Sequence, residues 1–564
     1  MARLDRLVTA KGIAQFGATI GRQFSYGLLQ AVSQLDASTL QRELGRLVEA
    51  EIVYQRGVPP QATYMFKHAL IQDAASQSLL KSTRQHYHQR IAQVLESQFP
   101  EMVEAQPELV AYHLTEAGLS AQAVSYWSQA AQRAVERSAH VEAIAHLRQG
   151  LALLQTLPET PQRLQREVDM QIVLGASLLA TKGFTAREVG ETYTRARQLC
   201  QHLEDPYQLF PVVRGLWHYY YMRAEYQTAH ALGDQLLTLA QQAQDSAMLV
   251  ASRRAFGTTL YQLGAVAAAH THFTQGMALY DPQQHRASVF RYGDDEGVLC
   301  HSSAAWTLWY LGYPAQALAR SHEAVTLAQQ VAHPFSFGYA LMLSAIFHAF
   351  RHEVGLTQEC ATALIRLATD QGFPQWKALG ALLSGWTLAH QGQAKEGIAQ
   401  LTQGLSTLRA MGVEINRSYF LALLAEAHRT MRQPDTGLTI LAEALTLMDT
   451  TGEHWYEPEL YRLKGELLLL QQSSNNSTEA ATCFQHAIRI AQKQQAKSWE
   501  LRAATSLARF WHQQGKREEA RQVLGDIYGW FTEGFDTADL QDAKVLLNEL
   551  EDGRQWISTR YSTK

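Results

Sequence analysis

A small residue placed just after a short Leu-Gly-type turn returns about every forty residues through the C-terminal two-thirds of this 564-residue chain. The positions are Ala269, Ala317, Thr357, Gly397, Gly437, Ala480 and Ala520, and four of the six intervals are 40. A unit of that length cannot bury its apolar face alone, so copies must stack, and the expected fold is an all-α solenoid of helix hairpins. Such an array binds by shape. The period therefore points to an interaction scaffold or a regulatory sensor rather than to an enzyme.

Within one copy, YLGYPAQALARSHEAVTLA, Leu311 and Gly312 end a helix, and Ala317, Ser321, Ala324 and Leu327 form the buried stripe of the next. The same frame places Ala269, Phe273, Gly276 and Leu279 in an earlier copy, and Gly397, Leu401, Gly404 and Leu408 in a later one. Small residues seven apart share a helix face and let two helices approach closely. Gly372, Gly412 and Gly452 fall where a left-handed residue caps the second helix of a hairpin. The pattern resembles the tetratricopeptide repeat, whose unit is about 34 residues. The longer period lengthens each helix by nearly one turn, a turn taking about 3.6 residues. The resemblance implies a right-handed superhelix with a groove for a protein or peptide ligand.

The register breaks between Ala269 and Ala317, where the segment DPQQHRASVFRYGDDEGV begins at Asp281. Its acids Asp294, Asp295 and Glu296 could meet a cation or a basic partner. Three adjacent acids lack the spaced oxygen donors of a calcium loop, so a solvated connection is the expected reading. Upstream, Trp217, His218, Tyr219, Tyr220 and Tyr221 put five rings in a row. On a helix some must face away from the core, so they either line a ligand groove or fill the packing between repeats. Residues 108–156 read as three long helices leading into the array.

Composition narrows the function classes. No apolar run approaches the roughly 20 residues of a membrane span, and the net charge of -4 offers no basic face for nucleic acid. Cys200, Cys300, Cys360 and Cys483 are far apart with no CxxC pair, which fits a reducing cytoplasm and no structural zinc. His86 with His88, and His270 with His272, are two apart and do not share a helix face, so no metal site is expected of either pair. No GxxxxGK[ST], GxSxG or HExxH occurs, and neither cofactor nor catalytic residue is assigned.

The first eighty residues follow another rule. Helical patterns near 9–18, 25–33 and 38–50 precede IVYQRG, a Pro59-Pro60 turn and TYMFKH, which together read as a winged helix. The arginines of TLQRELGRLVEAE are balanced by glutamates, which argues against phosphate contact by that helix. The segment FKHALIQDAASQSLL resembles the end of the winged-helix domain of signal-transduction NTPases with numerous domains (STAND). The resemblance implies that His68 matches a histidine contacting the ADP phosphate there, although Lys67 and Ala69 depart from the Met-His-Asp form; otherwise His68 is a polar residue at a strand-to-helix junction.

With the repeats and the tail YGWFTEGFDTADLQDAKVLLNEL, nearly the whole chain is similar to the C-terminal region of bacterial proteins joining a class III adenylate or guanylate cyclase, an AAA-type ATPase and a tetratricopeptide array. By that resemblance, residues 1–80 are the winged-helix end, 81–156 transition helices, 157–530 the array, and 531–564 a capping helix and tail. It implies a sensor working with an ATPase or cyclase domain in cis or in trans. A transcription regulator of the maltose-activator type is the alternative, but the residues after Leu550 are too few for its DNA-binding end.

Overall fold

In the computed structural model, residues 8–137, 139–200, 205–285, 293–471 and 474–561 are described. They fall into two compact units, one of residues 1–181 with 198–203, the other of residues 182–197 with 204–564.

The first unit opens with helices Val8–Ile20, Tyr26–Ser33 and Ala37–Glu49, close to the sequence expectation. The Asp36 carboxylate accepts from the Thr39 amide and the Ser25 hydroxyl from the Leu28 amide, satisfying N–H groups that a helix start leaves open. Strands β1 (Gln23–Ser25), β2 (Val53–Arg56) and β3 (Thr63–Phe66) form an antiparallel sheet in the order β1-β3-β2. β1 is an addition to the expected hairpin. Phe24, Tyr64 and Phe66 turn inward onto Leu40, Leu44 and Leu47, while Tyr54 and Met65 pair on the outer face. Further along, helices Lys81–Gln98, Pro107–Glu116, Ser120–Glu136 and His140–Leu154 follow the helical reading of this stretch. His88 has a partner, but it is His113, with the two Nδ1 atoms 2.8 Å apart. Burial pushes their pKa values down to about 4 and about 3, so the pair is neutral and one ring donates to the other.

In the second unit, eight helical hairpins are described between Pro206 and Tyr528. Their first helices are Pro206–Met222, Ser246–Gln262, Glu296–Tyr310, Pro334–Phe350, Pro374–His390, Arg417–Thr430, Glu457–Leu470 and Lys497–Gln513. Each is followed by a second helix, from Tyr226–Ala243 through Ala394–Ala410 to Arg517–Tyr528.

The two helices of a hairpin are built differently. In the second helix Pro314–Val331 only Pro314, Ala317, Ser321, Ala324 and Ala328 are buried, a single stripe at helical spacing. Ala328 rather than Leu327 continues that stripe, because four residues from Ala324 keep the face that three begin to leave. Leu279 is exposed for a related reason: it is the last residue of its helix. The first helix Pro334–Phe350 is apolar all round and buried from Ala340 to Phe350 without a break. A helix apolar on every side has to be enclosed on every side.

That enclosure comes from the array itself. The turn ending a first helix meets the connection that leads into the hairpin five places further on. Glu414 and Ile415 amides donate to the Met222 carbonyl at 3.0 and 3.3 Å, and the His454 amide donates to the Gln262 carbonyl at 2.8 Å. The Tyr310 hydroxyl donates to the Trp455 carbonyl at 2.7 Å in the same connection as His454, and one step later Ser498 donates to the Trp309 carbonyl. Between these contacts Trp306, Trp309, Tyr310, Phe350, Tyr419, Trp455 and Trp499 form one aromatic cluster. The inner face of the hairpins is thus mostly packed rather than an open trough.

Candidate functional site

Packing of the inner face leaves a cavity of about 50 Å³. The last turns of three first helices supply Tyr221, Tyr261, Gln262 and Trp306, the first half of helix Pro334–Phe350 supplies Tyr339, helix Pro374–His390 supplies Trp376, and the connection after Ala410 closes it with Val413 and Asn416. Ser303, Gln375 and Asn416 keep partial contact with solvent and give the cavity an opening.

Its polar groups are incompletely used. Gln262, 2% exposed, donates through Nε2 to the Tyr221 hydroxyl at 3.1 Å and to Asn416 Oδ1 at 2.9 Å, while its Oε1 has no partner. Trp376, 3% exposed, holds an indole N–H with no acceptor. Buried polar atoms are nearly always paired, because an unmet group costs about 1–3 kcal/mol. The hydroxyl of Tyr261, 4% exposed, has no partner either, and three such atoms on residues lining one cavity mark a place built to receive something.

Of the ring cluster picked out in the sequence, Tyr221 lines this cavity and the others do not. Trp217 is fully buried, donating to Thr259 Oγ1 at 2.9 Å beneath the Arg254 guanidinium, 4.8 Å from its ring centre. Tyr219 covers Gly190, where an added Cβ would lie 2.7 Å from the ring, and Tyr220 is half-buried beside it. Packing accounts for these three rings.

The acidic triplet corrects the sequence reading. Residues 286–292 of that connection lie outside the described residues, but Asp294, Asp295 and Glu296 are buried rather than solvated. Arg254 Nε donates to Glu296 Oε2 at 2.6 Å, and Arg214 bridges Asp294 and Glu296, reaching the latter at 2.8 Å. Two guanidiniums thus neutralise two carboxylates. Burial opposes ionisation of Glu296, but Arg254 and Arg214 outweigh it and hold its pKa below the ordinary carboxylate value. Asp295 caps the helix it precedes, accepting from the Val298 amide at 2.9 Å and from the Tyr280 hydroxyl at 2.8 Å. With its oxygens already engaged, the triplet is a structural junction. Sequence inspection missed its partners, although Arg214 and Arg254 stand one repeat period apart.

His68 sits at the junction of β3 and helix Ala69–Gln77, as its position in the sequence suggested. It is exposed and makes no side-chain cap hydrogen bond. Beside it Lys67 pairs with Glu51 at 3.0 Å. Among the described residues no group of three or more His, Cys, Asp or Glu could hold a metal, and no helix is long and apolar enough to cross a membrane.

No protein-family model matches the chain. An uncharacterised protein of Rhizobium meliloti is 23% identical over 510 residues, covering 90% of this chain and 49% of its own length. The chain thus spans about half of that curated relative. Among solved structures, the Rap protein complexed with competence and sporulation factor superposes with a TM-score of 0.50 at 11% identity, over 66% of this chain and 98% of that one. A STAND protein with a tetratricopeptide repeat sensor from Pyrococcus horikoshii covers 96% of this chain and 65% of its own, at 10% identity and a TM-score of only 0.26. The fold the chain shares with the first of these structures is a tetratricopeptide-like helical-repeat solenoid.

Proposed function

We propose that this chain is a non-catalytic sensor module whose ligand, a peptide or a segment of a protein, reaches the inner face of the array at the Tyr221–Gln262–Trp376 cavity. The observation that carries this reading is the set of three unmet buried polar atoms on residues that line a cavity open to solvent. The contacts between turns and distant connections supply the means of response. They are few, local and repeated, so a ligand that favours one winding over another shifts the whole array by its differential affinity for the two.

In the same reading the first eighty residues form a winged helix that docks an ATPase or cyclase domain, in cis or in trans, and His68 is placed where such a domain's nucleotide would lie. The three-helix and three-strand arrangement supports it, as does the greater length of the Rhizobium relative. By itself the chain carries no phosphate-cradling loop motif, so it should show no tight binding of ADP or ATP in calorimetry.

The ligand reading is tested by following tryptophan fluorescence while a pool of synthetic hexapeptides is titrated onto the parent and onto Ser303→Leu, which fills the cavity. Binding that the variant loses supports it. Peptides that bind both proteins equally, or no peptide that binds the parent, refute it.

A further inference from the structure

The chemistry of the cavity wall restricts what can enter. Among the described residues that line it, none carries a formal charge, and Tyr339, Trp306 and Trp376 supply aromatic surface. A carboxylate or an ammonium would lose its hydration there with no charged side chain on the wall to replace it. An ionised group is therefore excluded.

The unmet atoms ask for two complementary functions on one small group. Trp376 Nε1 needs an acceptor, Gln262 Oε1 needs a donor, and the Tyr261 hydroxyl, unmet as well, can donate to the same acceptor. Asn416 Oδ1, accepting from Gln262 Nε2 at 2.9 Å, fixes the orientation of that amide, since the turned-over form would set oxygen against oxygen. Hydrocarbon would leave these atoms unmet, whereas an amide carries a carbonyl acceptor and an N–H donor on one rigid plane.

Size completes the restriction. A water needs roughly 10–15 Å³ on this measure, and a cavity of about 150 Å³ is what accepts benzene. About 50 Å³ holds a few waters or one group of acetamide size, not a ring. Resting on the reading of this cavity as the ligand site, we propose that it recognises a single uncharged amide, either one peptide unit or the end of an Asn or Gln side chain of the ligand.

Saturation-transfer NMR with small probes tests this directly. N-methylacetamide, tert-butanol, acetate and methylammonium are each titrated to about 0.2 M, since a five-atom ligand at about half the efficiency ceiling reaches only millimolar affinity. N-methylacetamide alone should give a saturable signal, weakened at least tenfold by Trp376→Phe, which removes the indole N–H together with part of the ring, and abolished by Ser303→Leu. Circular dichroism and thermal unfolding establish that both variants fold. Saturable binding of tert-butanol equal to that of the amide would overturn the amide assignment while leaving the ligand site standing, and binding of either ion would overturn the exclusion of charge. If no probe saturates, the cavity holds only water, and the amide assignment and the cavity's role as ligand site both fall.

Discussion

The Tyr226 hydroxyl donates to the carboxylate of Glu453 at 3.3 Å, joining the start of one second helix to a connection 227 residues later. Ser418 and the Trp455 indole also donate to this carboxylate, which is only 3% exposed. Among the described residues no Lys or Arg is hydrogen-bonded to it, and the cationic form of neighbouring His454 helps it only weakly. Burial therefore outweighs the three hydrogen bonds and pushes its pKa up to about 7. A proton thus sits in the seam that holds one turn of the array to the next.

The consequence is a pH dependence of known sign. The folded pKa lies above the unfolded value near 4.5, so between the two the folded chain keeps a proton that the unfolded chain has lost. Stability from this group falls as pH rises through that window and levels above about pH 7, by roughly 3 kcal/mol in all. Other groups titrate in the same range, including the His88–His113 pair, which acts in the opposite direction. The difference between the parent and Glu453→Gln isolates the carboxyl, because glutamine keeps the shape and its amide nitrogen can donate to the Tyr226 oxygen. Urea unfolding from about pH 4.5 to pH 8 should show the variant gaining on the parent as pH rises; a constant difference would mean that Glu453 does not titrate there.

Helix contact inside a hairpin has its own test at Gly397. A Cβ there would lie 2.5 Å from the Gly385 carbonyl oxygen and 2.8 Å from the Ala389 nitrogen, both backbone atoms that cannot turn aside. Gly397→Ala should cost about 2 kcal/mol despite alanine's better helix propensity, because the two helices must part. At Gly404 the added carbon meets chiefly the Leu382 side chain, at 2.5 Å, which can change rotamer. Gly404→Ala should cost under about 1 kcal/mol by the same propensity offset. Equal losses in chemical denaturation would show that backbone contact does not set the spacing.

The sequence made the hairpin legible because the contacts within it are local and periodic. Ala317, Ala324, Gly397 and Leu401 are buried where their spacing places them, and Gly372, Gly412 and Gly452 have positive φ values of 70, 73 and 75°. What could not be read is how the hairpins wind. Winding sums a small rotation at each step, fixed by packing angles that vary by degrees, and it alone decides that Met222 meets Glu414 and Gln262 meets His454. The cavity is a product of that winding, since Tyr221 and Asn416 share it across nearly two hundred residues. The acidic triplet was misread for the same reason: its countercharges lie 42 to 82 residues upstream, and only the fold brings them home.

That junction makes a sharp prediction. Replacing Arg254, 2% exposed, by Met leaves Asp294 and Glu296 buried with a single guanidinium between them. Breaking a buried ion cluster from one side costs about 3–5 kcal/mol. Arg366→Met on the exposed face of helix Val354–Gln371 should change stability by less than about 0.5 kcal/mol. Comparable small effects for both, measured by urea unfolding, would mean that the triplet is solvated after all.

The turns inside the hairpins contain an opportunity for stabilisation. The second residue after the first helix is left-handed in copy after copy, with φ of 78° at Gly264, 89° at Gly312, 86° at Gly392 and 78° at Gly515. Arg432 occupies the same place, one period after Gly392, with φ of 52° and its side chain exposed. A side chain in that conformation costs roughly 1 kcal/mol that glycine does not pay, partly offset by the greater freedom glycine gives the unfolded chain. Arg432→Gly should therefore raise stability, by about 0.5 kcal/mol net. Gly392→Ala is the converse: no atom lies within 4 Å of its added carbon, so its loss of about 1 kcal/mol is conformational alone. Thermal and urea unfolding of the two variants should move in opposite directions; a destabilised Arg432→Gly would mean that the arginine side chain contributes more than its backbone strain removes.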